Sequence, residues 1–561
     1  MKPFRLLTLL TALTTIPALA APSVASSGVY NSASYILSTF PNGGIAQGSI
    51  FVVFGSGLGP STIAYNSSLP YQTSLSGTSV NVTVNGTTVN CLMFYTSDGQ
   101  IAAILPSNTP TGTGTLTVTY NGSTSPTAPI TVVKNALGLF TRNQQGSGPA
   151  VIQDSNGNYN SIINTFQPGM TVIFWGTGLG PISGSDATTP SSGNLPGATV
   201  TANIGGQSAV VQYAGRSGFA GEDQINVTIP SGVSGCYVPV YMTVNGVTSN
   251  FTTMSISNSG SVCSDANLFT SSQLQNIVNG GTFRVGNVIL EQESLAISVP
   301  NLPISLPNEE SDSGSGSFFK YDVNTFLSSL GGASTLAISQ GCAVYQFSGG
   351  SFSDPVHPTG LDAGSVINVT GPNGAKQMTK NATGEYSATF SSPSLSLGGP
   401  AATPFLSPGN YTIDNGAGGG DVGAFKVNVS VPAPVTWTNK STTSTVPRSQ
   451  PLTVNWTGGA STALVYVVGE SPLSVNSSTG SFNGAAEFVC VAPASAGTLT
   501  VPAGILSALP PSANISEGGI SIGGGVIIVS SASVNTSNVS GLDYFAAGAS
   551  SGDGKIGVTF Q

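Results

Sequence analysis

Few residues of this sequence could perform acid–base or nucleophilic chemistry. Charged residues make up 6% of the 561 residues, and the single histidine, His357, lies between prolines in the stretch SDPVHPTG. A Ser/His/Asp triad would have to use this histidine, and we interpret it as an exposed loop residue instead. No group of Cys and His residues has the spacing of a zinc site. We therefore predict no catalytic residue, no metal site and no cofactor.

Carboxylate pairs are the remaining source of catalysis, because a glycosidase needs only two such groups. Glu291 and Glu293 fall on one face of a predicted strand, and we interpret them as solvated charges that protect an edge strand from aggregation. We assign the acidic segment NEESDSGSGS to a flexible polar loop. Its carboxylates are Glu309, Glu310 and Asp312. A secreted hydrolase within residues 271–350 is accordingly the weakest functional alternative.

Two further motifs invite ligand-binding interpretations. The stretch DSNGNYN from Asp154 approaches a calcium loop in composition, but its Asn and Gly residues favour a hairpin turn. The motif GSGLGP at residues 55–60 is glycine-rich like a phosphate loop. It has no following Lys-Ser/Thr pair and no following helix, so we exclude phosphate binding.

Tryptophans are candidates for stacking on sugar rings. Trp437 is one of three in the chain, and we expect the other two, Trp175 and Trp456, to fill β-sandwich cores because each stands at a strand end before a turn. A carbohydrate-binding module would need several exposed aromatic side chains on one sheet face or among the loops of one domain. Carbohydrate binding is therefore the second functional alternative.

The elements that carry these residues are predicted to be β-strands. Valines alternate with polar residues across 79–84, which is the pattern of a half-buried antiparallel strand. The Asn-Gly pairs at 85–86 and 121–122 indicate two-residue hairpins. Only 271–281 and 322–332 are predicted to form short helices. The sequence predicts an all-β protein of tandem immunoglobulin-like β-sandwiches, two of them repeats, followed by two divergent β-rich domains.

The repeat is visible in one motif. GSIFVVFGSGLGP at 48–60 recurs as GMTVIFWGTGLGP at 169–181, and residues 100–122 align with the second copy at a constant offset of 124. The glycines of both copies are expected to adopt positive φ or to pass close to another strand. They are Gly55, Gly57, Gly59, Gly176, Gly178 and Gly180.

These motifs carry a resemblance to a known family. The segments NSASY, GSIFVVFGSGLGP, DGQIAAILP, LGLFTRN and GFAGEDQINVTIP occur in an order that resembles the Solibacter-type paralogous family of secreted acidobacterial proteins. The units within 26–258 are similar to the IPT/TIG group of immunoglobulin-like β-sandwiches. Ala102 departs from the pattern, since the second unit has Asn226 there, and Cys91 replaces a small residue or proline. The resemblance implies the fold of these units and no activity.

The repeat and the change of composition after it divide the chain. We predict a signal peptide over 1–20, IPT/TIG-like β-sandwiches over 21–135 and 136–258, a β-rich domain with short helices over 259–432, and a C-terminal β-sandwich-like domain over 433–561.

The N-terminus and the charge indicate where the chain acts. Lys2 and Arg5 precede an apolar stretch that ends in Ala18-Leu19-Ala20, which is typical of a secretion signal. A net charge of −9 attracts neither nucleic-acid phosphates nor an anionic membrane. No later segment reaches the roughly 20 apolar residues of a membrane span. We expect a secreted protein, extracellular or at the cell surface, without nucleic-acid partners.

Five cysteines in an oxidising compartment allow two disulfides. Cys236 opens the strand YVPVYMTV and Cys263 follows the strand FTTMSIS, so antiparallel pairing of these strands brings the two together. We predict this bridge. A second bridge between Cys342 and Cys490 is possible, but its only support is that these cysteines remain once Cys236, Cys263 and Cys91 are assigned. Cys91, within VNCLMFY, is interpreted as a buried free thiol.

Three functions compete on these grounds. A non-enzymatic surface or extracellular protein, structural or adhesive, comes first, because repetition without catalytic groups suits spacers and fibres. Few charged side chains protect its edge strands from pairing with another chain. Self-association by strand addition or by head-to-tail contact is therefore physically feasible. Binding to an extracellular polysaccharide comes second, and hydrolysis third.

Peptide mapping under non-reducing conditions tests the predicted bridge. We expect Cys236 and Cys263 in one linked peptide, because their short closed loop contributes roughly 3 to 4 kcal/mol to stability. Cys91, which should react with an alkylating reagent only after unfolding, is the internal control. Recovery of Cys236 and Cys263 in separate alkylated peptides would refute the pairing.

Overall fold

The computed structural model of the protein describes residues 21–264, 269–297, 308–329, 341–347, 358–382, 384–391, 404–461, 463–476, 481–482, 484–517 and 520–561. Within these ranges strands predominate, which confirms the all-β class. The α-helices of the described part are α1 (Ser271–Gly280), α2 (Val323–Ser329) and α3 (Ala503–Leu506). The first two were predicted. The predicted signal peptide and His357 lie outside the described residues.

The first module is a two-sheet β-sandwich. One sheet has the order β1-β3-β8-β7-β4, and the other has β2-β11-β9-β5-β6 with β10 beside β9. The strands are β1 (Ser23–Asn31), β2 (Ile45–Ala46), β3 (Ile50–Ser56), β4 (Ala64–Tyr65), β5 (Thr78–Val84), β6 (Thr87–Asn90), β7 (Leu92–Thr96), β8 (Gln100–Ile104), β9 (Gly112–Tyr120), β10 (Ser123–Thr124) and β11 (Ala128–Val133). The alternating valines of β5 enter the core between the sheets, beside Phe51 and Ile101. Both predicted Asn-Gly hairpins have the expected positive φ angles.

The second module folds one nine-stranded sheet over its own core. Its strands are β12 (Gly138–Leu139), β13 (Ile152–Gln153), β14 (Thr171–Thr177), β15 (Val200–Ile204), β16 (Gln207–Arg216), β17 (Asp223–Thr228), β18 (Gly235–Val244), β19 (Val247–Thr248) and β20 (Thr252–Ile256). The long strand β16 pairs with both β15 and β17 and so joins the two layers. Val172, Phe174, Ile225 and Val240 lie in the core between them.

The C-terminal half is built on a 14-stranded sheet with the order β23-β36-β33-β40-β41-β21-β22-β27-β26-β25-β28-β29, with β24 beside β22 and β31 beside β41. The longer strands of this half are β21 (Thr282–Ile297), β22 (Glu309–Asp322), β23 (Gly341–Phe347), β25 (Val366–Gly371), β26 (Gly374–Lys380), β27 (Tyr386–Ser391), β28 (Gly409–Asp414), β29 (Lys426–Val431), β32 (Leu452–Thr457), β33 (Leu464–Pro472), β36 (Ala485–Pro493), β40 (Gly525–Thr536) and β41 (Tyr544–Phe560). The shorter ones are β24 (Thr359–Gly360), β30 (Thr436–Trp437), β31 (Thr445–Val446), β34 (Val475–Asn476), β35 (Ser481–Phe482), β37 (Thr498–Val501), β38 (Asn514–Glu517) and β39 (Ile520–Gly523). Outside the large sheet, β30, β32 and β37 form a three-stranded sheet, and β34 with β35 and β38 with β39 form two-stranded sheets.

The last strand of the chain returns to the middle of this sheet. β41 runs parallel to β21 from the pair Val285 and Tyr544 to the pair Ile297 and Ile556, and antiparallel to β40 on its other side. The sheet therefore continues across the predicted boundary between residues 432 and 433. The domain boundaries themselves stay predictions.

Two expectations about the acidic segments of this half are wrong. Glu291 and Glu293 lie on β21, which is an interior strand between β41 and β22 rather than an edge. The segment NEESDSGSGS is mostly strand β22 rather than a flexible loop. Its small residues serve close packing: a Cβ at Gly314 would stand 2.7 Å from the Met378 sulfur and 2.8 Å from the ring of Phe390.

The glycines of the repeated motif behave as predicted. Gly57 and Gly178 have φ angles of 66° and 112°, which a side chain disfavours. Gly55 has an ordinary φ, but a Cβ there would overlap the carbonyl oxygen of Ser23 on the paired strand β1. Each glycine is thus required either by the turn or by the neighbouring backbone.

Two disulfides link segments of the chain that are distant in sequence. Cys236 on β18 is joined to Cys263, with Cα atoms 5.5 Å apart, and β18 pairs antiparallel with β20 as the predicted bridge requires. Cys342 on β23 is joined to Cys490, directly opposite on β36. Cys91 is a buried free thiol, and burial raises its pKa.

A buried ion pair joins the first two modules. Arg216 pairs with Asp223, and both side chains are almost fully buried. The Arg216 guanidinium also donates to the carbonyl oxygen of Gly48 in the first module at 2.9 Å and to that of Gly180 at 2.7 Å. Asp223 accepts a hydrogen bond from the Leu179 amide at 2.7 Å. One cation thus holds the glycine motif, β17 and the first module together.

Replacing Arg216 with methionine should lower the free energy of unfolding of these two modules by about 3 to 5 kcal/mol, because the Asp223 carboxylate stays buried without its partner. Denaturant titration followed by tyrosine fluorescence measures the loss. The control is Lys380→Met, which removes a half-exposed ion pair with Asp362 and should cost at most about 1 kcal/mol. Equal losses in the two variants would contradict the role of Arg216.

Candidate functional site

The outer face of one sheet in the first module carries a dense set of aromatic side chains. Along β1, β3, β8, β7 and β4, alternate residues point into the core and the others point outward. Strand pairing places five outward residues in one row across the sheet: Tyr30, Val52, Ala102, Tyr95 and Tyr65. Rings therefore occupy both ends of the row, with small residues at its centre.

A β-bulge adds one more ring to this face. The register of β7 against β8 shifts between Met93 and Tyr95, so Phe94 is the extra residue. Strict alternation after the buried Met93 would send Tyr95 inward, whereas a bulge re-aims the side chains that follow it. Phe94 and Tyr95 consequently both face outward, with ring centroids 6.2 Å apart.

We call this surface the aromatic face. It consists of Tyr30, Tyr35, Phe54, Tyr65, Tyr71, Phe94 and Tyr95. Contacting rings are 6.0 to 6.4 Å apart in the group around Phe54 and 5.8 to 6.2 Å apart in the group around Phe94. Tyr65 is 61% exposed and the other rings are half-buried. Each ring is held by its neighbours yet keeps surface for a partner.

The second module borders the aromatic face. Its residue Ala220 packs against Ile50 and Ile104, which form the buried floor of the face. The Tyr71 amide donates to the carbonyl oxygen of Ala187 at 2.8 Å, so the loop that carries Tyr71 is fixed to the second module as well. Junctions between modules are frequent locations of binding sites.

Burial keeps the hydroxyls of Tyr30, Tyr35 and Tyr95 neutral at physiological pH. Burial raises the pKa of Tyr95 to about 12, and the neighbouring hydroxyls of Tyr35 and Tyr65 add to the effect. Burial also raises the pKa of Tyr30. In the described part of the chain, no hydrogen bond engages the hydroxyls of Tyr30, Tyr35 or Tyr95. The face thus combines apolar ring surface with hydroxyls that can bond a ligand.

Tyr35 has a strained backbone. Its φ is 51°, a left-handed conformation that a bulky residue seldom adopts. The Asn31 side chain holds this turn by accepting hydrogen bonds from the amides of Ala33 at 2.9 Å and Ser34 at 3.2 Å. Asn31 also donates to the Ala136 carbonyl of the second module at 2.9 Å. Maintained strain beside a ring cluster is a feature of functional sites.

The equivalent face of the second module has a different chemistry. Tyr213 pairs with Asn226 as Tyr95 pairs with Ala102, and β16 has a bulge at the same place as β7. Asn226 accepts a hydrogen bond from the Gln224 side chain at 2.9 Å. The first module therefore has the apolar Ala102 at the centre of this face. At the equivalent position the second module has Asn226, which is hydrogen-bonded to Gln224.

The tryptophans are placed as follows. Trp456 is buried as predicted, and Trp437 lies in the same core. Trp175 was predicted to fill a core, which is wrong: it is half-buried on the outer side of β14 and donates to the Gln153 side chain at 2.8 Å. The neighbouring Phe174 takes the inward position, and strand alternation then turns Trp175 away.

The carboxylates considered from sequence form no catalytic constellation in the described residues. Burial raises the pKa of Glu293 to about 7, and the charge of the neighbouring Glu291 adds to the shift. Glu470 and Glu487 oppose each other on β33 and β36, and burial with the charges of Glu470 and Glu291 raises the pKa of Glu487 to about 7. No group of ligand residues suited to a metal ion occurs among the described residues.

The DSNGNYN stretch forms the predicted hairpin turn. The Asp154 carboxylate accepts hydrogen bonds from the amides of Asn156 at 2.9 Å and Asn158 at 2.8 Å, and from the Asn158 side chain at 2.9 Å. The side chain of Asn158 is the main cause of a lowered Asp154 pKa. Gln153 and Tyr159 pair across the turn. The carboxylate oxygens of Asp154 therefore accept hydrogen bonds from within the turn and stabilise it.

Comparisons with known proteins identify no family. No protein-family model matches the chain, and no curated protein matches it. Within the described residues no helix is both long enough and apolar enough to cross a membrane.

Solved structures give weak likenesses. Two domains of the S-layer protein SbsC align at 13% identity over 43% of this chain and 100% of that chain, with a TM-score of 0.17. The plexin A4 extracellular region aligns at 14% identity over 42% of this chain but only 18% of that chain, with a TM-score of 0.15. The protein SGBP-B of a Bacteroides ovatus mixed-linkage glucan utilisation locus aligns at 13% identity over 82% and 91% of the two chains, with a TM-score of 0.14. TM-scores this low carry no functional argument.

Stability should fall as the pH rises from 5 to 8. Glu293 and Glu487 have folded-state pKa values of about 7, above the ordinary value near 4.5. The folded chain therefore binds more protons than the unfolded chain between about pH 4.5 and 7, and loses stability as these protons leave. Thermal unfolding should show this loss, and Glu487→Gln should reduce it. Glu385→Gln, on an exposed turn, is the control. A wild-type unfolding temperature that does not fall over this range would refute the assignment.

Proposed function

We propose that the protein is a non-enzymatic extracellular protein of structural or adhesive type, which displays the aromatic face of its first module to a partner. The observation that carries this proposal is the face itself: seven rings lie over one sheet in two contacting groups, with a buried floor and a rim fixed by the second module. Single exposed apolar residues are ordinary on protein surfaces, whereas contiguous patches mark interaction sites.

The rest of the molecule supports an extracellular, structural role. Two disulfides fit an oxidising compartment, where such bridges form and persist. The buried Arg216 joins the first two modules by a hydrogen bond to Gly48, and a spacer that presents a surface requires such a joint. The IPT/TIG and Solibacter-type resemblance belongs to this proposal too, and is favoured by the repeated bulges and glycine turns.

A polysaccharide is the partner that the face favours. Sugar rings present apolar C–H surfaces and hydroxyls together, and tyrosine offers the matching combination of ring and polar tip. The row from Tyr30 to Tyr65 spans five adjacent strands, long enough for several sugar units at a strand spacing of about 4.8 Å. Self-association is the alternative, either through contact of the aromatic face with a second copy of the chain or through the uncharged edge strand β6 of the other sheet.

Pull-down on insoluble cellulose, chitin and xylan tests this function. We expect wild-type protein to bind at least one of them, and Tyr95→Ala to weaken binding roughly tenfold or more because its ring contact is lost. Ala102→Asn, which copies the second module, should also weaken binding. Tyr159→Ala removes a 51% exposed ring outside the face and is the matched control.

The same samples distinguish the alternatives. Light scattering that rises with concentration, lost in Tyr95→Ala and accompanied by no binding to any polysaccharide, would assign the face to self-association. Unchanged binding and unchanged scattering in Tyr95→Ala and Ala102→Asn would refute a role for the aromatic face.

A further inference from the structure

The hairpin between β16 and β17 is longer than its counterpart in the first module. Tyr95 and Ala102 pair across the first-module hairpin with six residues between them, whereas the equivalent Tyr213 and Asn226 have twelve. The longer hairpin contains the segment 217–222, which we call the junction loop because it reaches from the second module onto the first. Loops tolerate insertion and often carry binding residues, so an extension present in one of two repeats is a candidate for function.

The junction loop is fixed on the floor of the aromatic face. The Thr177 hydroxyl donates to the Gly221 carbonyl at 2.6 Å and accepts a hydrogen bond from the Ile50 amide of the first module at 2.9 Å. A Cβ at Gly221 would stand 2.7 Å from the Ile50 side chain, so a glycine, here with a φ of 75°, lets the loop come this close. Within the loop, the Phe219 amide donates to the Ser217 hydroxyl at 2.9 Å. The loop therefore has a defined position relative to the face.

Phe219 is exposed although the loop that carries it is docked. Its neighbour Ala220 is buried against Ile50 and Ile104, whereas Phe219 is 67% exposed, the highest value for a large apolar side chain among the described residues. A single exposed ring is ordinary on a protein surface, but a ring that borders a cluster of others extends a contiguous patch. Phe219 thus adds ring surface from the second module to the aromatic face of the first.

Glu222 brings a carboxyl group to the same border. Its carbonyl accepts a hydrogen bond from the Ser217 amide at 2.9 Å and so closes the loop. Burial raises the pKa of Tyr71, and the charge of Glu222 adds to the shift, which places the carboxyl near this ring of the face. The Glu222 side chain is half-buried and keeps part of its surface for a ligand. A carboxylate accepts stronger hydrogen bonds from hydroxyls than a neutral group does.

We propose that the junction loop forms a sugar-binding subsite of the aromatic face, in which the Phe219 ring stacks on one sugar unit and the Glu222 carboxylate accepts hydrogen bonds from glycan hydroxyls. This inference rests on the function proposed above and defines the ligand further, as a glycan chain that lies across both modules. A chain long enough to reach from the ring row to the loop gains the additional contact, and a short chain on the row does not. The second module thereby determines the preference for chain length.

Calorimetric titration of the full chain with cello-, chito- and xylo-oligosaccharides tests the subsite, with a disaccharide and a hexasaccharide of each series. We expect the wild type to bind at least one hexasaccharide more tightly than its disaccharide. Phe219→Ala should weaken binding of that hexasaccharide roughly tenfold, because the stacked ring is lost, and change disaccharide binding by less than about twofold. Glu222→Gln retains the shape of the side chain and should weaken hexasaccharide binding roughly fivefold.

The matched control is Val210→Ala, which shortens a 62% exposed side chain near the opposite end of β16 and should bind both chain lengths like the wild type. Equal hexasaccharide affinities in the wild type, Phe219→Ala and Glu222→Gln would overturn the subsite and leave the aromatic face as the binding surface. An equal loss for the disaccharide and the hexasaccharide would also overturn it, because the loop would then act only on the structure of the face. A wild type that binds no oligosaccharide and no polysaccharide would refute the subsite and the polysaccharide partner together.

Discussion

The arrangement of the first half depends on one buried cation. Arg216 meets Asp223, the Gly180 carbonyl of the second glycine motif and the Gly48 carbonyl of the first module. A buried charge is tolerated only when its partners are complete, so loss of one of these partners while Arg216 stays buried is strongly unfavourable. The loop after Arg216 carries Ala220 onto the floor of the aromatic face. The candidate site and the joint between the modules are consequently parts of the same structure.

Duplication followed by divergence explains how two similar sandwiches carry different surfaces. Both modules keep the bulge and the strand order that turn a tyrosine outward, at Tyr95 and at Tyr213. The partner of that tyrosine is Ala102 in one module and Asn226 in the other. A methyl group leaves the neighbouring rings to contact each other, whereas an amide organises hydrogen bonds with Gln224. The fold is retained, and the chemistry of one sheet face is changed by its outward residues alone.

The C-terminal half shows how small residues let a large sheet pack on itself. A Cβ at Gly552 would stand 2.9 Å from Ile528, and one at Gly554 would stand 2.5 Å from Leu295, so both strands approach more closely than larger residues allow. Glu293 lies opposite Gly552 on the neighbouring strand, and burial raises its pKa. A segment rich in Ser and Gly can form either a loop or a closely packed strand, and in β22 it forms a closely packed strand.

The sequence by itself determined the features that neighbouring residues encode. Strand alternation, the Asn-Gly hairpins, the glycine turns and the Cys236–Cys263 bridge follow from local period, from φ preference and from strands adjacent in the chain. Only the tertiary structure decided the aromatic face, because its rings lie between positions 30 and 95 on strands that meet out of sequence order. Tyr and Phe residues on the strands were the sequence signal of this face. The side of the sheet on which Tyr95 lies depended on the bulge in β7, which the sequence does not show. The return of β41 beside β21 pairs residues about 260 positions apart, and no local pattern specifies such a partner.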